Sequence, residues 1–155
     1  MPQYFYTVKN AVTSTTVDNE DVLFQVRGVP TGSTIVMIKR IFVAAETPND
    51  NRIQIRGYLT SSTSTGVVAT TAIPKNAMWR ADGASTLVKN GTTTTVLSGI
   101  SATLFEADFN ARGVWEWIAR DELDYYVTFP STFFTLTGLS SSASVTCDIT
   151  VEWVF

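Results

Sequence analysis

The sequence predicts an all-β chain folded as one antiparallel sandwich of the jelly-roll kind, with about eight or nine strands. Three observations predict it. Val145, Cys147, Ile149, Val151, Trp153 and Phe155 alternate with mostly polar residues from Ser144 onward, the period of a strand with one face on a core and one in water. Turn-forming clusters recur between similar runs, at Val29-Pro30-Thr31-Gly32, 47–51, Lys89-Asn90-Gly91, Asn110-Ala111-Arg112-Gly113 and 140–142. Serine and threonine make up about a quarter of the chain, and charged residues only 16%, a balance suited to sheet surfaces and polar loops rather than to helix surfaces.

Taken in order, Tyr4–Val8 and Val22–Arg27 follow the two-residue rhythm. Thr34–Val43 is apolar on both faces and reads as a central strand, covered on both sides. In Arg52–Thr60, Ile53, Ile55 and Leu59 share the face opposite Arg52, Gln54, Arg56 and Tyr58. Thr95–Leu104, Val114–Ile118, Tyr125–Phe129 and Thr132–Leu139 complete the set before the C-terminal strand. Helical leaning is confined to Ile118–Asp124 and Ala102–Phe109. Residues 61–94 form a long polar excursion, with Met78, Trp79 and Leu87 as candidate anchors. An excursion of this size in a compact β domain is more often contact-forming than idle. Nothing divides the 155 residues into more than one domain.

The chemistry-bearing residue types are scarce. Histidine is missing, which removes the commonest general base and transition-metal ligand. Cys147 falls on the apolar face of its strand, where a thiol behaves as a small hydrophobe. Glu106 and Asp108 share one face of a strand, and Asp121, Glu122 and Asp124 cluster in a loop. A glycosidase would need two such carboxylates across a cleft, but acidic residues are common in turns for capping reasons alone. Asp18-Asn19-Glu20-Asp21 and Asn49-Asp50-Asn51 offer oxygen ligands without the spacing of a calcium loop. The expectation is a chain without catalytic residues, cofactor or bound metal.

A net charge of −3 with scattered cations argues against a nucleic-acid partner. The first residues carry no signal-peptide pattern, and no apolar run is long enough to span a membrane. Aromatic residues are the remaining feature. Trp115 and Trp117 share a strand face with Glu116 between them, and Tyr125, Tyr126, Phe129, Phe133 and Phe134 follow. They read as core or interface residues, or else as an exposed platform for sugars, to which Trp79 would add.

The run Phe109-Asn110-Ala111-Arg112-Gly113-Val114-Trp115-Glu116-Trp117-Ile118, the acidic loop, Phe129-Pro130-Ser131 and the alternating C-terminal strand resemble the small head decoration (cement) proteins of tailed bacteriophages. So does the short aromatic N-terminus leading to Val12-Thr13. The resemblance implies a viral structural protein: a β-sandwich on the virion's capsid surface that assembles as a homotrimer, contacts the major capsid protein and carries no catalytic residues. Within residues 1–8, Pro2, Tyr4, Phe5 and Tyr6 are candidates for an N-terminal contact arm; the alternative is that Tyr4–Val8 is the first strand of a sheet. The competing function is a carbohydrate- or receptor-binding module that uses Trp79, Trp115 or Trp117 for stacking.

Overall fold

The computed structural model describes the backbone at residues 5–15, 20–28, 33–45, 50–70, 73–74, 86–141 and 144–154, and side chains at 20–28, 33–45, 50–70, 91, 96–141 and 144–154. Twelve strands are present: β1 Phe5–Thr15, β2 Asp21–Gly28, β3 Val36–Ala45, β4 Arg52–Thr60, β5 Thr65–Ala69, β6 Ile73–Pro74, β7 Thr86–Val96, β8 Ile100–Asn110, β9 Val114–Ile118, β10 Tyr126–Thr128, β11 Phe133–Ser140 and β12 Val145–Val154. They form two six-stranded antiparallel sheets. One runs β6-β1-β12-β3, with β9 and β10 both on the free side of β3; the other runs β5-β7-β2-β11-β4-β8.

Eight strands carry the topology. In chain order β1, β2, β3, β4, β8, β9, β11 and β12 place their first, eighth, third and sixth members in one sheet, and the second, seventh, fourth and fifth in the other. Successive strands therefore change sheets except at the β4–β8 pair, which is the jelly-roll arrangement rather than an immunoglobulin-like one. The twelve strands exceed the eight or nine expected because the excursion itself contributes β5, β6 and β7. The excursion begins at Ser61, and β8 resumes at Ile100. β5 and β7 widen one sheet beyond β2, while β6 pairs with Tyr6 and Thr7 of β1 in the other.

The crossing from β4 to β5 is pinned by one buried amide. Gln25 Nε2 donates to Thr135 Oγ1 at 2.9 Å and to Ser64 Oγ at 3.3 Å, and its oxygen accepts the Ser64 N–H at 3.1 Å. A buried polar side chain is tolerated when its bonds are made, and here they anchor the serine-rich tract that the sequence shows as featureless. At the far end, Ser61 N–H bonds the Gly99 carbonyl at 2.8 Å. Gly99 has φ of 68°, a left-handed conformation that suits glycine. That turn separates β7 from β8 and breaks the single strand expected over Thr95–Leu104. The helical leaning of Ala102–Phe109 gives way entirely to β8, and of Ile118–Asp124 only a 3-10 turn at Glu122–Asp124 remains. In β8 pairing with β4 outweighs the weak local propensity.

Phe5–Val8 lie in β1, opposite Val154–Val151 of β12. For Phe5 and Tyr6 the strand alternative is therefore the one observed; Pro2 and Tyr4 lie outside the described residues. β3 is central, as its composition predicts, but only one of its faces is buried: Val36, Ile38, Ile41 and Val43 are inaccessible, whereas Met37, Arg40 and Phe42 are half-exposed. The core between the sheets is built from these residues with Phe24, Ile53, Ile55, Phe134, Leu136, Cys147, Ile149, Val151 and Trp153. Trp153 and Phe24 meet across the interior at 5.9 Å between ring centres. Burial pushes the Cys147 thiol up to about 12, with Asp148 adding to the effect, so the group is a packed apolar one.

Candidate functional site: the two edges of the open side

β8 and the β9–β10 strand are the outermost strands on one side of the sandwich, and the site is built between and upon them. Asn110-Ala111-Arg112-Gly113 turns the chain from one to the other. Asn110 Oδ1 accepts the Arg112 N–H at 2.9 Å and the Asn110 carbonyl accepts the Gly113 N–H at 2.8 Å. Ala111, fully buried, donates its N–H to the Asn51 carbonyl. The distinctive sequence run 109–118 is therefore this corner and the strand that follows it.

Between the edges lies an aromatic seam. Phe105 of β8 rests over Gly57 of its partner β4, where a Cβ would come within 2.2 Å of the ring. Phe105 then stacks on Trp115 at 5.4 Å and on Tyr126 at 5.3 Å, and Tyr126 stacks on Trp117 at 4.5 Å and reaches Phe134 at 6.2 Å. Trp115 and Trp117 pair with Val43 and Ile41 of β3 and point inward, half-buried. Both rings pack against the core of the open side. Burial, followed by Asp124, raises the Tyr126 phenol above its ordinary value. Trp79, the third candidate platform, lies outside the described residues.

The carboxylates of β8 face outward and are held. Asp108 pairs with Arg52 at 2.5 Å, and Glu106 with Arg56 at 3.1 Å while it also accepts from Gln54. Arg56 extends the ladder to Glu20 at 3.2 Å, which accepts from Tyr58 at 2.8 Å and from Thr137 at 2.7 Å. Glu106 and Asp108 do share a face, as expected, yet each meets an arginine across the strand rather than a cleft. Such cross-strand pairs are ordinary sheet chemistry. Of the two oxygen-rich tracts, Asp18, Asn19 and Asn49 fall outside the described residues, while Asp50 pairs with Arg112 at 3.2 Å. Among the described residues no group of three or more His, Cys, Asp or Glu could hold a metal ion, and no helix is long and apolar enough to cross a membrane.

The β9–β10 edge is different. Val114 is 60% exposed, Ile118 53%, Phe129 50% and Leu123 94%. Ile35, 41% exposed, and Phe129 flank the last pair of this edge, Thr128 with Val36. Five of the eight large apolar side chains that the described residues expose thus collect along one strand edge and its end. Arg40 fastens the middle of its outer face through Glu116 and, at 3.5 Å, through the nearly buried Glu152. Beside β9 an open depression of about 620 Å³ is walled by Trp117, Tyr125 and Tyr126, with Glu116, Arg120 and Asp124 at its polar side. The depression has no local sequence sign, because it forms where the end of β9 and the start of β10 meet the unpaired residues between them. Comparison with protein-family models, with curated proteins and with solved structures returned no match.

Proposed function

We propose that this chain is a structural assembly protein: a capsid decoration subunit of a tailed bacteriophage that trimerises on the head and braces the major capsid protein. The observation that carries the reading is the concentration of exposed apolar side chains on the β9–β10 edge, Val114, Ile118, Leu123 and Phe129 with Ile35 beside them. Scattered surface apolar residues are normal, but their concentration along one edge supports a contact surface. An edge strand left open to water is also a site that proteins usually cover. The jelly roll supplies the rigid body, the thiol is buried, and the outward carboxylates of β8 are held by arginines. Each of these supports a scaffold over a catalyst, and the resemblance of residues 109–118 supplies the particular setting.

The test is a light-scattering mass. The reading expects three times the 17.0 kDa of the chain, reduced to the monomer by Val114→Ser with Ile118→Ser. A wild-type protein that stays monomeric and does not bind emptied phage heads removes it. The competing reading is a carbohydrate- or receptor-binding module. The depression walled by Trp117, Tyr125 and Tyr126 favours it, since sugars pack on aromatic faces between polar groups. Saturation-transfer signals from glycans lost in Trp117→Ala but kept in Trp115→Ala would move the conclusion there.

A further inference from the structure

The pairing of β4 with β8 reaches Thr60 and Ile100, yet the two chain segments stay together beyond it. Ser61 donates its N–H to the Gly99 carbonyl at 2.8 Å, and Ser62 Oγ meets Ser98 Oγ at 3.1 Å. Thr65 then pairs with Val96, and Val67, Val68 and Ala69 with Gly91, Asn90 and Lys89. The pairs β4–β8 and β5–β7 are therefore successive parts of one two-stranded ribbon. One part forms one margin of its sheet and the other part the opposite margin, with β2 and β11 between them. To join both margins, the ribbon bends across a face of that sheet.

Gln25 fastens it there. Its neighbours Phe24 and Val26 belong to the core, so Gln25 points to the outer face, and it is nevertheless inaccessible. The amide holds Ser64 twice, by donating to its Oγ and by accepting its N–H. Thr60 and Thr135 beneath it keep their own 2.8 Å bond. Among the described residues of 61–98, only Ser64 and Gly91 are buried, while Val68 is 53% and Val96 59% exposed. β6 holds the other sheet through two residues, Ile73 and Pro74 against Thr7 and Tyr6. Both bends carry a glycine in the left-handed region, Gly66 with φ of 77° and Gly99 with φ of 68°. A far part fixed at one buried amide and hinged at two glycines is built to separate from the strands it covers.

We infer that the β5–β7 ribbon is a strap latched by Gln25, which opens as a unit from β2 while the eight-stranded body stays folded. Opening frees the edge of β2 from Phe24 to Gly28, the stretch that β7 covers. The device stands apart from the decoration reading and is testable on the isolated full chain. Native-state hydrogen exchange in urea below the unfolding transition reads it, since a unit that opens alone does so more often than the whole molecule unfolds. In the wild type, protected amides of β5 and β7 should share one opening equilibrium, at least about tenfold more open than that of β3 and β12. Ile149→Val, a conservative change inside the body, should speed β3 and β12 about three- to tenfold and leave β5 and β7 unchanged. Gln25→Ala weakens the closed state against both openings, so it should speed both groups equally, by at least about tenfold. Ser64→Ala acts from the strap's side and should give the same pattern with a smaller factor, because the Ser64 N–H still meets Gln25 Oε1. An Ile149→Val effect that is equal in β5, β7, β3 and β12 would overturn the inference, because the strap would then open only with the body. So would a Gln25→Ala chain without a folded body, or β5 and β7 rates that neither latch variant changes.

Discussion

The two edges of the open side solve the same problem in opposite ways. β8 is a long free strand that sets Glu106 and Asp108 outward, neutralises them on Arg56 and Arg52 of β4, and lays Phe105 over Gly57. Charged outward side chains are a standard guard against edge-to-edge pairing. The β9–β10 edge is guarded by interruption: a seven-residue excursion stops any partner strand from running its full length. Interruption leaves something behind that neutralised charge does not. It exposes Leu123, flanks it with carboxylates that make no ion pair among the described residues, and leaves Val114 and Ile118 on the outer face. One edge is covered by its own ion pairs, and the other leaves apolar side chains in water.

The comparison breaks most readily at the seam that joins the edges. Phe105→Ala removes the ring shared by Trp115, Tyr126 and Gly57, and urea unfolding should show a loss of about 2–3 kcal/mol, below the range for a fully buried Phe. Gly57→Ala tests the same contact from beneath. A Cβ within 2.2 Å of the Phe105 ring should cost about 1–3 kcal/mol through displacement of the stack; a neutral result would mean that the ring moves freely.

The interior supplies a reference independent of both edges. The Cys147 pKa is raised on folding, so the proton is held more tightly in the folded chain. Its contribution to stability is complete below the unfolded value near 9 and is lost as pH climbs towards about 12, with a slope of at most about 1.4 kcal/mol per pH unit. Alkylation by iodoacetamide at pH 8 should accordingly be far slower in the native chain than in urea. The smallest effects separate the edges themselves. Asp108→Asn should lower stability by about 0.2–1 kcal/mol, as for an exposed ion pair. Leu123→Ser should change it by no more than about 0.5 kcal/mol. A large stability loss at Leu123 would show that the excursion packs against its own chain and is no contact element.

The body of the fold was legible because its signal is periodic. Burial alternates along β12 through Ile149 as the apolar pattern predicts, and β4 and β9 have the expected bounds. What escaped notice depends on contacts distant in sequence. Gln25 reaches Ser64 across 39 positions, so the polar tract after β4 carried no local sign of being a crossover. The turn at Gly99 lies inside Thr95–Leu104, a run that looks like one strand. Trp115 and Trp117 stood out by composition, and their inward direction followed only from pairing with Val43 and Ile41. The excursion at 119–125 resembled an ordinary acidic loop until its two flanking strands proved to be neighbours along β3.

Hydrogen–deuterium exchange, read as protein concentration is raised to populate the proposed trimer, tests the central claim most directly. Amides of Val114–Ile118 and of residues 126–129 should gain protection on assembly while those of residues 104–110 in β8 keep the same rate. Protection that appears on β8, or an assembled form in which the β9–β10 edge exchanges as freely as in the monomer, would contradict the account.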